Sequence, residues 1–196
     1  MTCSVRLRPS SHPPAARRAA IGIRYLFITA VLLTAVGVAA HMVSWPFLTA
    51  TLGPTAYVFA AHPRSEAARI RNAAFGHAVA IGAGVGALAA FGLWNHASIN
   101  ATGAPSLAQV GAAAVGTGVT VMVLELVGSH HAPAAATALL IATGLAKPGR
   151  PLAGLAVGLA IVLILGPLSG LVAPVQADDD PAMSSGRHRS VPGAPR

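Results

Sequence analysis

Six apolar blocks run along the chain in a long–short–long order that occurs twice. The long blocks, residues 25–43, 73–93, 107–127 and 152–172, are each about 19–21 residues. That is the length a helix needs to cross the hydrocarbon core of a bilayer. The short blocks, residues 46–61 and 132–146, follow the first and third long ones and are too short to be ordinary spans. The pattern predicts an all-α, polytopic transmembrane bundle of four long helices plus two short or broken ones. Short, Gly/Pro-interrupted apolar segments at matching places in two halves point to a transport site where they meet.

Composition supports a membrane location: 54% of residues are hydrophobic and 9% charged, which leaves too little polar surface for a soluble domain. Residues 1–20, rich in Pro, Ser and Arg, are expected to be a disordered cytoplasmic tail. Residues 21–176 form the transmembrane domain, and residues 177–196, with Asp178, Asp179 and Asp180, a disordered C-terminal tail. The first apolar run is long enough to span and follows an extended basic stretch, so it reads as a retained helix and not a cleaved signal. The net charge of +8 sits in short flanks of spans. Arg6, Arg8, Arg17, Arg18 and Arg24 precede the first helix, and Arg64, Arg69 and Arg71 precede the second long one. Such flanking charge sets topology. It places the N-terminus and residues 62–71 in the cytoplasm of a multi-pass cell-membrane protein, and it does not suggest nucleic acid. If the second short block crosses, the chain makes six passes as two inverted halves of three. If it re-enters, Lys147 and Arg150 change sides. The charges favour neither strongly.

Small residues four apart, Gly82 and Gly86, Gly154 and Gly158, Gly166 and Gly170, predict close helix contacts in lipid and leave a homo-oligomer open. Cys3 is the lone cysteine and supports neither an internal disulfide nor a thiolate metal site.

The chemistry concentrates in two places. Pro133 suits a first helical turn, so the free N–H groups and positive dipole end of the second short helix would face His130 and His131, an arrangement suited to an anion. In the first short block Gly53 and Pro54 predict a break in the helix. Broken backbone at membrane depth must be buried or line a cavity, and Thr49, Thr51 and Thr55 would supply hydroxyls to it. His77, inside the second long block, should face the bundle. Asn72 would cap that helix and Arg71 would screen an anion at the entrance. Glu125 is placed to pair with His130, His131 or a loop arginine. A His12-Pro13-Pro14 run in the tail has no apolar block to open.

The run His131, Ala132, Pro133, Ala134, Ala135, Ala136, Thr137, Ala138 resembles the motif for which the HPP family of integral membrane proteins is named, with alanine for its first proline. Arg71, Asn72, Phe75, Gly76 and His77 are similar to a second family motif. Residues 50–56, including Thr51 and Gly53, are similar to a small-residue stretch before the basic loop. The resemblance covers about residues 25–172 and implies a transporter, with small anions, nitrite among them, considered as substrates. The expected substrate-binding residues are therefore His131, Pro133, Thr137, His77, Asn72, Arg71, Thr51 and Gly53. No catalytic residue, metal or cofactor is expected, and the partners are the lipid bilayer and a small solute. The alternative is a non-transporting structural or assembly membrane protein.

Overall fold

The computed structural model describes residues 14–172. Tail residues 177–196 and most of tail 1–20 lie outside them. The described chain is helical without strands: α1 Ala15–Val43, α2 Leu52–Ala61, α3 Ile70–Ala90, α4 Ile99–Thr102, α5 Leu107–Val127, α6 Pro133–Ala142, α7 Arg150–Leu165 and α8 Ser169–Val172. Single 3-10 turns at Glu66–Ala68 and Gly166–Leu168 lead into α3 and α8. Four stretches are long and apolar enough to cross a membrane: Ala15–Val43, Ile70–Ala90, Leu107–Val127 and Arg150–Leu171. Their outward faces are apolar. Leu26, Phe27 and Val31 on α1, and Val121 and Met122 on α5, are each more than half exposed, as lipid-facing side chains must be.

The first helix starts at Ala15, inside the stretch expected to be disordered. Residues 15–20 are alanines and arginines, strong helix formers that extend an already nucleated helix at little cost. Pro14 lies just before that helix. The proline run of the tail therefore does lead into a helix, although His12 and Pro13 lie outside the described residues.

Side-chain ties sort the helix ends into two faces. At the first face Tyr25 Oη donates to Ala61 O, Ser169 Oγ to Phe59 O, and His131 Nδ1 to Ala67 O. At the second, Gln109 Nε2 donates to both Ala97 O and Thr143 O, and Lys147 Nζ to Trp94 O and His96 O. The chain thus passes between the faces six times: through α1, residues 45–61, α3, α5, α6 and α7. The two ends of the second short segment are tied to opposite faces of the bundle. Residues 147–150 lie at the second face, with residues 94–98.

The two sequence halves, α1–α2–α3 and α5–α6–α7, run in opposite directions and exchange their third helices. The principal neighbours of α3 are α5 and α6, while those of α7 include α1 and α2. Glycine makes both seats. A Cβ on Gly84 would lie 2.9 Å from Ile141 Cβ and 3.0 Å from Ala138 O, and one on Gly158 only 2.5 Å from Phe47 O. Of the expected pairs, Gly154 and Gly158 are both contacts. Gly166 presses on Phe59, Gly170 makes an ordinary contact with Pro63, and Gly82 and Gly86 meet nothing within 4 Å. In α3 the close approach sits at Gly84, because α5 and α6 cover that side of the helix.

These contacts predict opposite outcomes for neighbouring glycines. Gly84→Val should destabilise the protein by about 1–3 kcal/mol, the usual range for overpacking, whereas Gly82→Val should be close to neutral. Melting temperatures of the detergent-solubilised variants test this. Equal losses would mean that α3 is not seated on α6 through Gly84.

Candidate functional site

The chain reverses between α5 and α6 through Gly128, whose φ of 68° glycine adopts without strain. Ser129 N–H donates to Leu124 O and Gly128 N–H to Glu125 O, the Schellman closure of a helix end. The turn delivers Ser129 and His131 into the bundle, both buried, and leaves His130 exposed. Gly76 accommodates them: a Cβ there would lie 3.3 Å from both His131 Cβ and Ala134 Cβ. Pro133 then opens α6, buried in its first turn.

His77, one percent-scale step from full burial at 2% exposed, stands on α3 between the two short helices. Its Nδ1 lies 2.9 Å from Thr137 Oγ1 on α6, and its Nε2 lies 3.1 Å from both Thr55 Oγ1 on α2 and His131 Nε2. The two imidazole rings meet edge to face with centroids 4.9 Å apart. The partners assign the ring protons. A carbonyl can only accept, so His131 Nδ1 donates to Ala67 O at 2.8 Å. Thr55 Oγ1 donates to Thr51 O at 3.0 Å, which leaves its oxygen free to accept. His77 Nε2–H is then shared between Thr55 Oγ1 and His131 Nε2, and Thr137 donates to His77 Nδ1. Every nitrogen of both rings has a partner, with one proton per ring.

Four of the expected residues, His131, His77, Thr137 and Thr51, therefore come together, and Thr55 joins them at the centre. The others sit elsewhere. Gly53 lies in the first turn of α2, where a Cβ would meet nothing within 4 Å. The helix does not break at Gly53–Pro54. It begins at Leu52, because a proline in a first turn lacks only an N–H that would have had no intrahelical partner. The non-helical backbone is instead residues 45–51, with Pro46 O and Phe47 O against Gly154 and Gly158 of α7. Asn72 Nδ2 ties the loop by donating to Glu66 O at 3.0 Å, and Arg71 is exposed. The N–H groups of α6 are not all free: those of Ala134 and Ala135 turn back to His131 O and Ala132 O. Glu125 is exposed at the end of α5. The acid near His130 is Glu66, 3.9 Å away and also 3.3 Å from Arg69.

Gln109 was not anticipated. It is buried and closes a capping box with Ser106 while its amide joins two loops at the second face. The Ser-x-x-Gln spacing before an apolar run was the available signal. Ser129, buried beside Asn72, carried no such signal.

Two cavities lie near the two faces. A cleft of about 320 Å³ at the first face is lined by Glu66, Arg69, Arg71, Asn72 and Ser129, among others. A cavity of about 470 Å³ reaches in between α5 and α6 to Thr51, with Gln109 and Thr143 as its other polar walls.

Thr137→Val should leave His77 Nδ1 without its donor and destabilise the fold by roughly 1–3 kcal/mol. Thr117→Val should be neutral or stabilising, since the buried Thr117 hydroxyl has no partner. Thermal denaturation separates the two, and a harmless Thr137→Val would remove that bond from the network.

The family model described as HPP, transmembrane region, matches residues 11–169, and the chain belongs to that family. No curated protein and no solved structure matches the chain.

Proposed function

We propose that this HPP-family membrane protein is a carrier of a small anion, with the imidazole–threonine cluster as the gate and binding point of its path. The observation that carries the reading is one of position. The buried cluster of His77, His131, Thr51, Thr55 and Thr137 stands where two inverted halves exchange helices, with a cleft at the α2–α3 loop on one side and a largely apolar cavity that reaches Thr51 on the other. Inverted halves with polar, interrupted helices at their junction are the architecture of alternating access. Buried ionisable side chains inside a span are costly and mark solute or ion pathways.

The anion reading rests on charge. Arg69 and Arg71 line the cleft at the first face, and among the described residues Arg71 has no acidic partner within ion-pair distance. A basic rim over a low-dielectric cleft concentrates anions. Threonine hydroxyls and imidazole N–H groups deeper in the bundle are the donors that would replace the solute's water. The chemistry involved is binding and passage; the protein is not an enzyme in this reading.

The arginine-bearing face is taken as cytoplasmic, since positive flanks resist translocation. In a Cys3→Ser background, a cysteine at Ser98 should react with an impermeant thiol reagent added outside whole cells, and a cysteine at Ser65 should not. Labelling at Ser65 from outside would invert the arrangement.

Transport itself is tested in proteoliposomes by uptake of nitrite, nitrate and chloride against protein-free vesicles. His131→Ala should reduce uptake to the protein-free level while the protein stays inserted and monodisperse, and exposed His41→Ala should transport normally. Full uptake by the His131 variant at matched protein levels would favour a purely structural cluster.

A further inference from the structure

An anion crossing this bundle meets no fixed positive charge at the depth of the cluster. Among the described residues Arg17, Arg18, Arg24, Arg64, Arg69 and Arg71 belong to the first face, and Lys147 and Arg150 to the second. No Lys or Arg hydrogen-bonds to His77, His131 or the three threonines. The larger cavity has no charged residue in its lining. An uncompensated anion in such a place is expensive. Among the described residues the two imidazoles are the groups there that can become cationic.

Their bonding leaves room for one more proton. In the arrangement described above, the pair carries two ring protons: one on His131 Nδ1, held by Ala67 O, and one on His77 Nε2, shared with Thr55 and His131. The vacant position is His77 Nδ1, which accepts from Thr137 at 2.9 Å. A third proton placed there makes His77 an imidazolium and reverses that one bond. The Thr137 hydroxyl then accepts, and its own hydrogen can turn to a carbonyl of the preceding helical turn. The other bonds are kept. A fourth proton would set N–H against N–H across the 3.1 Å gap between the rings, so the capacity is one.

We propose that the His77–His131 pair binds one proton together with the anion, making the protein a proton–anion symporter. The inference rests on the anion-carrier reading and names its coupling ion. The charges balance: one proton and one monovalent anion enter the cluster as a neutral pair and leave together on the other side, with no net charge moved. Binding of either partner favours the other, as linkage requires. Toward the second face, Thr55 donates to the backbone carbonyl of Thr51, a residue that lines the larger cavity. Toward the first face, His131 reaches the loop that borders the cleft. The charged or titratable groups facing the pair are few. Loop residues Glu66 and Arg69 are paired with each other. Arg71 comes from α3, His130 from the α5–α6 turn and Glu125 from the end of α5, all exposed. The short helices α2 and α6 present only threonine hydroxyls to His77.

The test uses the full chain in proteoliposomes loaded with the pH dye pyranine, with inward gradients of nitrate or chloride. The acids of these anions are fully ionised, so they carry no proton across lipid by themselves. Uptake should be accompanied by acidification of the lumen and should be unaffected by a potassium–valinomycin potential. His77→Asn keeps a neutral hydrogen-bonding side chain but cannot take up the proton; it should lose the acidification. Anion uptake that follows the imposed potential without acidification overturns the symport proposal and leaves the carrier reading intact. Normal acidification by His77→Asn overturns the assignment to this pair. Absence of uptake of either anion by the unmodified protein overturns the carrier reading, and the symport proposal with it.

Discussion

A polar side chain in the hydrocarbon region must find its partners inside the protein, because an unmet amide or hydroxyl there costs roughly 2–7 kcal/mol. His77 meets that demand by bonding both short helices at once, α2 through Thr55 and α6 through Thr137 and the adjoining His131. Much of the bundle's geometry follows. The rings can meet only if α6 begins close against α3, which Gly76 permits. They also require the α2–α3 loop to lie over the start of α6, where Ala67 O receives His131 Nδ1. Removing any one of these residues leaves a buried polar atom exposed to lipid-like surroundings, so the cluster holds as a unit.

Exchange of the third helices gives the cluster its place. Because α3 is seated between α5 and α6, and α7 against α1 and α2, the two halves share a boundary at which His77 on α3 bonds both short helices. The seats are made of glycine against backbone or small side chains, at Gly84, Gly116, Gly154 and Gly158. In lipid such close contact relies on dispersion and not on water exclusion. The proposed carrier function would require one seat to rock against the other.

The apolar pattern made the four long helices and the two short ones legible, since span length and block spacing are direct consequences of bilayer thickness. The placing of the two ends of α6 at opposite faces of the bundle was not legible from charge. Lys147 and Arg150 lie at the less basic face, and what fixes them there is Lys147 bonded to Trp94 O and His96 O. The meeting of His131, His77 and Thr51 could be expected from the shared need for partners. Gly53 and Pro54 misled because local propensity marks where a helix is weak in its interior. At its first turn the same residues fit, and the non-helical stretch moved upstream to residues 45–51. Gly84 hid among four glycines and alanines of similar spacing, since spacing alone does not say which side of α3 its neighbours occupy. Asn72 lies in the first turn of α3 and does not cap that helix; its amide serves the loop carbonyl of Glu66.

The central claim is the direct bond between two imidazoles inside the bundle. Nitrogen–nitrogen coupling across that hydrogen bond, measured by NMR on protein with isotope-labelled histidines in lipid nanodiscs, tests it most directly. One coupled pair of ring nitrogens among the eight histidines is expected, lost in both His77→Asn and His131→Asn. Two uncoupled rings, or a coupling that survives either substitution, would contradict it.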